Sequence, residues 1–504
     1  MFLLVYLILA LTFGFTLLTT EIAIGRRTGQ SPLTAYRVLY PKMGWLGLLA
    51  CVIPMLILPL PYYSAIGGWV LKYLAAYLTG GAQAAVDSQY FTSFITSTWS
   101  PILWFLLFLG ATVFVVYSGV VSGIERMSKI LMPVLLVLML CIVCFSLTLS
   151  HTDEEGVART GLQGLLVYVV PSFEGMTLRK FLMVLTDAMG QLFYSISVAM
   201  GIMITYGSYV KKETNLVKSV NQIELFDTVV ALLAGMMIIP AVFVFSGAQG
   251  MSDGSTLMFR SLPKVFGAMG GVGGVVGVVF FLAVAFVALT SSVSIMEAIV
   301  SSAMDQFHIS RKKACIAVAL IALAGGLVVC LGYNLFYFEW ILPNTPAGKN
   351  AQILDVLDYI SNYVMMPVLS IGTCILIGWI VKPKTIIEEV TLWGRRFRRE
   401  KLYAQSDKEP YITKLKSSNR NITGLIDKFG TDIHVTPIDD KFFIAAIKES
   451  ITPELYLWLK EFMPPIEVIY PEDTESEMRT FFSKIGEGDY FIMTPEYLNQ
   501  KNSN

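Results

Sequence analysis

Two segments rich in hydroxyl groups interrupt the apolar stretches of this chain. LFYSISVAMGIMITYGSY at 192–209 carries Ser195, and FLAVAFVALTSSVSIMEAIV at 281–300 carries Thr290 and Ser291 side by side. A helix that only crosses a bilayer needs apolar side chains and a fully paired backbone. Oxygen ligands without a dense carboxylate cage suit a monovalent cation better than calcium or magnesium. The two segments therefore predict a site for a monovalent cation and a small ligand inside the membrane.

The short patch Ala199-Met200-Gly201, which contains a glycine, predicts a non-helical break near the middle of the first segment. The alternative is that the hydroxyls bond to the preceding helical turn or hold neighbouring helices together. Asp227 lies in a third apolar stretch, and an ionisable residue at membrane depth indicates function. Its alternative is a structural carboxylate at the end of the span, paired with Lys218 or a backbone donor.

Composition indicates a polytopic membrane protein. The 504 residues are 55% hydrophobic and 15% charged, with a mean hydropathy of +0.64 and a formal net charge of zero. A span needs about 20 apolar residues. About nine spans are predicted, at 2–24, 44–78, 101–118, 128–150, 181–208, 219–247, 273–305, 313–335 and 355–381.

The distribution of Lys and Arg predicts the orientation. Basic residues concentrate at 26–42, 126–129, 211–218, 311–313 and 382–399, in every second loop. These loops are predicted to be cytoplasmic, which places the polar C-terminus in the cytoplasm of a multi-pass plasma-membrane protein.

No residue pattern indicates an enzyme. The six cysteines fall in apolar spans, the three histidines are scattered, and the Gly-rich run at 267–277 lacks the G-K-[ST] ending of a P-loop. We therefore expect no catalytic residue, no transition metal, no cofactor and no direct binding of nucleic acid.

Five motifs, in one colinear order over roughly residues 1–400, resemble the prokaryotic members of the neurotransmitter:sodium symporter family. They are EIAIGRRTG (21–29), GIERMSK (123–129), GQLFYSISVAMGIMITYGSYVKKE (190–213), NQIELFDTVVALLAG (221–235) and ALTSSVSIMEA (288–298). The resemblance implies an all-α inverted-repeat sodium symporter fold around a central site. It also implies symport of Na⁺ with a small amino acid or related amine.

The resemblance assigns roles to residues of this chain. One sodium site would use the carbonyl of Val287 with Thr290 and Ser291, and the other Ser195 and Asp227. The residues that it places around the substrate are Tyr63, Tyr194, Ser195, Ser197, Met200 and Ile295. Tyr63 is the second residue of a Tyr62–Tyr63 pair and would reach the substrate carboxylate. Asp358 would be the acidic half of an extracellular gate.

Three features depart from the family pattern. Residues 1–6 match the start of the family's second helix, so the first helix, which supplies ligands to both sodium ions, is expected to be absent. An active symporter and a remnant that is inactive as encoded both remain open. Pro59 and Pro61 precede the tyrosine pair in an unusually long segment. After about 382 the chain turns polar instead of adding further spans.

The chain is predicted to divide into a transmembrane domain at 1–382, a basic linker at 383–418 and a small soluble α+β domain at 419–504. In this last part, three strands are predicted in DIHVTPID, KFFIAAIKES and IEVIYP. Two helices are predicted after Thr452 and Thr474. The segment from Phe429 to Ile485 weakly resembles the C-terminal segment of WYL-domain regulators.

Alternatives to the symporter remain open. The chain could be a membrane-tethered regulatory or sensory protein whose helices anchor a ligand-reading tail. It could also be a fragment joined to a piece of another gene.

Overall fold

The computed structural model describes residues 1–52, 59–119, 121–152, 158–173, 176–247, 257–342 and 350–392, together with four strands of the C-terminal part. Contacts divide the chain into two compact units, Met1–Tyr403 and Ala404–Asn504. The first unit is helical and contains the predicted cation and ligand residues.

The described residues form sixteen helices, α1 to α16 in chain order. The first eight are α1 (Phe2–Thr28), α2 (Pro32–Leu39), α3 (Pro59–Leu78), α4 (Ala82–Ala85), α5 (Ser88–Thr96), α6 (Trp99–Ser118), α7 (Val121–Thr148) and α8 (Gly161–Val169). The others are α9 (Leu178–Ser195), α10 (Ile202–Tyr209), α11 (Leu216–Ser246), α12 (Leu257–Ala268), α13 (Gly271–Phe307), α14 (Arg311–Leu331), α15 (Ile353–Ile380) and α16 (Lys384–Val390). Short turns at Pro41–Met43, Trp45–Gly47 and Leu48–Val52 lie between α2 and α3.

Two of the long helices contain π turns. In α1 the turn is Ala10–Gly14, and in α15 the turns are Ile360–Met365 and Leu376–Ile380. A π turn accommodates one extra residue in an otherwise α-helical ladder. The helix axis therefore continues through the turn, but the residues after the turn are rotated about that axis relative to their positions in an uninterrupted α-helix.

Seven helices of the described part are long and apolar enough to cross a membrane. They are Phe2–Thr28, Trp99–Ser118, Lys129–Thr148, Leu216–Ser246, Gly271–Phe307, Arg311–Leu331 and Ile353–Ile380. They coincide with seven of the predicted spans, and they make the chain a multi-pass membrane protein. The predicted span 44–78 instead holds short turns and α3, and the predicted span 181–208 is divided between α9 and α10.

Glycines allow α10 to pack with its backbone against that of α1. A Cβ at Gly207 would lie 2.3 Å from the carbonyl oxygen of Ile22, and a Cβ at Gly25 would lie 2.0 Å from that of Ile204. Small residues permit such close approach between membrane helices. We call this contact the glycine seam, and it makes α10 and the second half of α1 one packing unit.

An aromatic cluster joins α3, α5 and α12. The rings of Phe91 in α5 and Phe259 in α12 stack with centroids 5.3 Å apart, and Trp69 of α3 contacts both edge-on. Both phenylalanines and Trp69 are buried. The cluster ties the short helices between the spans to α3.

The strands form two separate antiparallel sheets. β1 (Ser150–Thr152) and β2 (Ala158–Thr160) make a hairpin in the first unit. The second unit holds β3 (Ile412–Ser418), β4 (Ile433–Pro437), β5 (Phe442–Lys448) and β6 (Ile466–Ile469), in the order β4-β5-β3-β6.

Regular structure is present within the segment 383–418 that was predicted to be linker. The three predicted strands coincide with β4, β5 and β6, but β3 lies in a central position of the sheet, inside the segment 383–418 that was predicted to be linker. Helix α16 lies in the same segment. The predicted linker thus contains one helix and one strand. The two predicted tail helices lie outside the described residues.

Candidate functional site

The first hydroxyl-rich segment is broken in its middle. Helix α9 ends at Ser195 and α10 begins at Ile202. Between them Ser197 and Ala199 adopt positive φ angles of 55° and 56°, and Gly201 has a φ of 78°. The left-handed region costs a residue with a side chain about 1–2 kcal/mol. Strain of this kind persists where the surroundings hold it in place and is frequent at ligand sites.

A buried carboxylate stabilises this break. The backbone N–H of Ala199 donates to Oε1 of Glu21 at 2.7 Å, and the Glu21 side chain, from α1, is fully buried. A break in a membrane helix frees backbone donors that must find partners within the protein. Glu21 was not among the predicted site residues, although a carboxylate inside an apolar span is a signal that could have identified it.

A cavity of about 370 Å³ lies beside the break. It is lined by Tyr63, Tyr194, Ser195, Ser197, Met200, Ile202, Met203, Tyr206, Ser291, Ser294 and Ile295. All six residues predicted to surround a substrate are in this lining. Its polar groups are hydroxyls, and none of the lining residues is a lysine, arginine, aspartate or glutamate.

The hydroxyls of α13 point in different directions. Thr290 Oγ1 donates to the carbonyl oxygen of Val287, three residues earlier in the same helix, at 2.8 Å. This is the bond to the preceding helical turn that the structural alternative predicts. Ser291 lies in the cavity lining, whereas buried Ser292 accepts a hydrogen bond from Thr112 of α6 at 3.1 Å. The segment thus combines cavity-facing oxygens with a hydroxyl that holds neighbouring helices together.

Asp227 of α11 is bound to the end of α9. Its Oδ1 accepts a hydrogen bond from Ser195 Oγ at 2.7 Å. Its Oδ2 is buried and has no hydrogen-bond partner among the described residues. The partner of this carboxylate is Ser195 rather than Lys218, so the structure brings the two residues predicted for the second sodium site together.

The predicted gate residue lies outside the cavity lining. Oδ1 of Asp358, in α15, accepts a hydrogen bond from Asn362 Nδ2 at 2.7 Å. Tyr62 is buried, while its neighbour Tyr63 lies in the cavity with its ring 6.3 Å from that of Tyr194. The gating role of Asp358 stays a prediction.

A second cavity, of about 420 Å³, lies among α3, α5 and α6 and contains none of the predicted site residues. Within the described ranges, no group of three His, Cys, Asp or Glu side chains could hold a metal ion. The cavity at the break is therefore the candidate site.

Comparison with known proteins links this geometry to sodium-dependent transport. A model of the sodium:neurotransmitter symporter family matches residues 95–398. The uncharacterized sodium-dependent transporter YhdH of Bacillus subtilis is 33% identical over 374 residues, which cover 73% of this chain and 77% of YhdH. An uncharacterized sodium-dependent transporter of Haemophilus influenzae is 29% identical over 400 residues, covering 76% of this chain and 81% of that protein.

A solved structure shows the same fold. The crystal structure of MhsT in complex with L-phenylalanine superposes with a TM-score of 0.70 at 32% sequence identity, covering 80% of this chain and 87% of MhsT. The membrane part of the chain therefore has the fold of a protein solved with a bound amino acid.

Proposed function

We propose that this chain, which belongs to the sodium:neurotransmitter symporter family, couples the movement of a neutral amino acid to that of Na⁺. The observation that carries the proposal is the hydroxyl-lined cavity at the break between α9 and α10. Broken helices at the midplane are the usual place where transporters bind ions and substrates.

Two sets of oxygen atoms support the assignment of Na⁺ as the coupling ion. The first is the carbonyl of Val287 with the hydroxyls of Thr290 and Ser291, and the second is Ser195 with Asp227. Neither set contains more than one carboxylate, which favours a singly charged ion over a divalent one. Sodium would also neutralise the buried Asp227 carboxylate.

The lining of the cavity supports an amino acid with an uncharged side chain. Met200, Ile295, Ile202 and Met203 contribute apolar surface, and no charged side chain lies in the lining. A basic or acidic substrate side chain would be buried here without a counter-charge, which is costly. We propose that the Tyr63 hydroxyl binds the substrate carboxylate, and L-phenylalanine, found in MhsT, is the first ligand to test.

The test measures binding and uptake of radiolabelled phenylalanine by the reconstituted chain in sodium and in choline. We expect sodium dependence, competition by neutral amino acids, and no competition by lysine or glutamate. Thr290→Val should raise the half-saturating sodium concentration at least tenfold. Ser301→Ala removes a similar bond, to the carbonyl of Ala298 in the same helix, and should leave it unchanged.

Equal sodium dependence in Thr290→Val and the unmodified chain would refute the first sodium site. Binding that does not depend on sodium would refute the proposed coupling.

A second candidate function is a membrane-tethered sensor. The observation in its favour is the second compact unit, Ala404–Asn504, with its own antiparallel sheet. We propose that this unit is cytoplasmic. Sodium-dependent binding of an amino acid without any uptake would favour the sensor over the transporter.

A further inference from the structure

A buried charge cluster joins three segments at the predicted cytoplasmic face. Arg26 Nε, near the end of α1, lies 2.7 Å from Oε1 of Glu389 in α16. Their side chains are only 1% and 4% exposed. Lys212, just after α10, places Nζ 3.1 Å from Oε1 and 3.2 Å from Oε2 of the same carboxylate. We call Arg26, Lys212 and Glu389 the charge cluster.

The guanidinium group of Arg26 reaches two further acceptors. Nη1 donates to the backbone carbonyl of Thr214 at 2.9 Å, and Nη2 donates to the backbone carbonyl of Glu389. The planar fork of arginine is suited to contact several acceptors at once. Arg26 thus binds the segment after α10 and the end of α16 through one rigid group.

The cluster is attached to the half of the candidate site that follows the break. Helix α10 is separated from α9 by the break, and it contributes Ile202, Met203 and Tyr206 to the cavity lining. The glycine seam fixes α10 to α1 but not to α16. Arg27 of α1 also contacts α16, through the carbonyl of Thr385 and the exposed carboxylate of Glu388. The charge cluster is the buried ionic part of the junction between the α1–α10 packing unit and α16.

The chemistry of this contact differs from that of the seam. A buried ion pair contributes little net stability compared with apolar packing, because removing the charges from water costs several kcal/mol. That cost falls when the partners separate and are hydrated again. A charged contact can consequently open and close at a lower cost than an apolar contact of the same area, whereas the glycine seam stays packed.

The geometry points to the charge cluster as a clamp that sets the position of α10 relative to α16. Closed, as here, it holds the end of α10 next to α1 and α16. Open, it releases the α1–α10 unit and so alters the cavity side formed by α10. Glu389 is a positioning residue, since it touches neither the cavity nor a predicted ion ligand. The link to transport rests on the proposed function, whereas the clamp itself does not.

Hydrogen–deuterium exchange of the full chain in detergent tests the clamp. Glu389→Gln keeps the shape of the side chain and removes its charge. We expect exchange to accelerate at least tenfold at 210–216 and 384–390 and to stay unchanged in α13 and α14. Glu388→Gln is the matched control, because Glu388 is half-exposed and lies 3.6 Å from Arg27; it should behave as the unmodified chain does.

A second variant guards against a general loss of folding. Lys212→Met removes the half-exposed member of the cluster and leaves the Arg26–Glu389 pair in place. It should accelerate exchange in the same two segments by a smaller factor, and it should add nothing to Glu389→Gln in the double variant. Unchanged exchange at both segments in Glu389→Gln would overturn the clamp, and so would an equal rise in every helix.

Transport kinetics separate the clamp from the proposed function. In Glu389→Gln we expect the maximal rate of sodium-dependent uptake to change severalfold while the half-saturating substrate concentration stays within twofold. If the unmodified chain shows no uptake, the proposed function fails and the exchange data still decide the clamp. Localised exchange with unaltered uptake rates would refute the link between the clamp and transport.

Discussion

Replacing Asp227 by Asn should change the sodium dependence of stability in a way that a structural carboxylate would not. The Ser195 hydroxyl binds Oδ1 at 2.7 Å, and Oδ2 is buried without a hydrogen-bond partner among the described residues. Asparagine keeps an oxygen for Ser195 and removes the charge. We therefore expect higher stability without sodium and weaker binding of sodium, two effects of opposite sign.

The magnitudes follow from the environment of the carboxylate. A charged Asp at membrane depth costs about 2.5–3.5 kcal/mol, and part of this cost is relieved in Asp227→Asn. Two unit charges about 4 Å apart attract by about 4 kcal/mol at an effective dielectric constant of about 20. Removing the ion and the carboxylate from water offsets part of that attraction. The loss in sodium binding is then about 1.4–2.8 kcal/mol, or roughly 10- to 100-fold in affinity.

The assay is thermal unfolding of the full chain in detergent, with sodium chloride replaced stepwise by choline chloride at constant ionic strength. Asp227→Asn should melt above the unmodified chain in choline and need at least tenfold more sodium for half of the sodium-induced rise. Asp355→Asn is the control, because Asp355 belongs to the capping box of α15. It should lower the melting temperature equally in both salts. A sodium midpoint of Asp227→Asn within twofold of the original would refute the second sodium site.

Three further predictions concern packing, strain and orientation. Gly207→Ala places a Cβ 2.3 Å from the carbonyl oxygen of Ile22 and should destabilise the protein by about 1–3 kcal/mol in thermal unfolding. Gly110→Ala is the control, because no atom lies within 4 Å of its Cβ, and it should leave the stability unchanged. Ala199→Gly relieves a positive φ and should raise the melting temperature slightly, so a fall would contradict the strain assigned to the break. A reporter fused after Asn504 should be active as a cytoplasmic reporter, and activity outside the cell would mean that the predicted orientation is wrong.

Hydrophobic length predicted most of the membrane part from the sequence. Uninterrupted apolar runs predict seven of the helices, because only a helix pairs all the backbone N–H and C=O groups of a single segment in lipid. The patch Ala199-Met200-Gly201 also located the break. A single span was predicted at 44–78 because the length of an apolar run does not show the short turns that precede the helix beginning at Pro59.

Contacts between distant residues could not be predicted by the same rules. Arg26 and Glu389 are 363 residues apart, and nothing local marks them as partners. Strand β3 was read as linker because its lysines and serines look solvated, yet Lys416 stands opposite Ile444 and Glu467 in the sheet. Pairing with remote strands, rather than local propensity, decides such a segment.

The π turn at Ile360–Met365 has a consequence for how residues are matched between relatives. The π turn contains one extra residue, so a relative without it would be one residue shorter at the same place. Because each residue advances an α-helix by about 100°, a shift of one residue changes the face on which a side chain lies. An alignment drawn without a gap would then displace every position after the turn by one. Asp358 lies before the turn and Leu369 after it. A correct match of Asp358 to a residue of a relative therefore does not ensure a correct match of Leu369. Helix α15 should be aligned in two pieces, with a one-residue gap permitted between them.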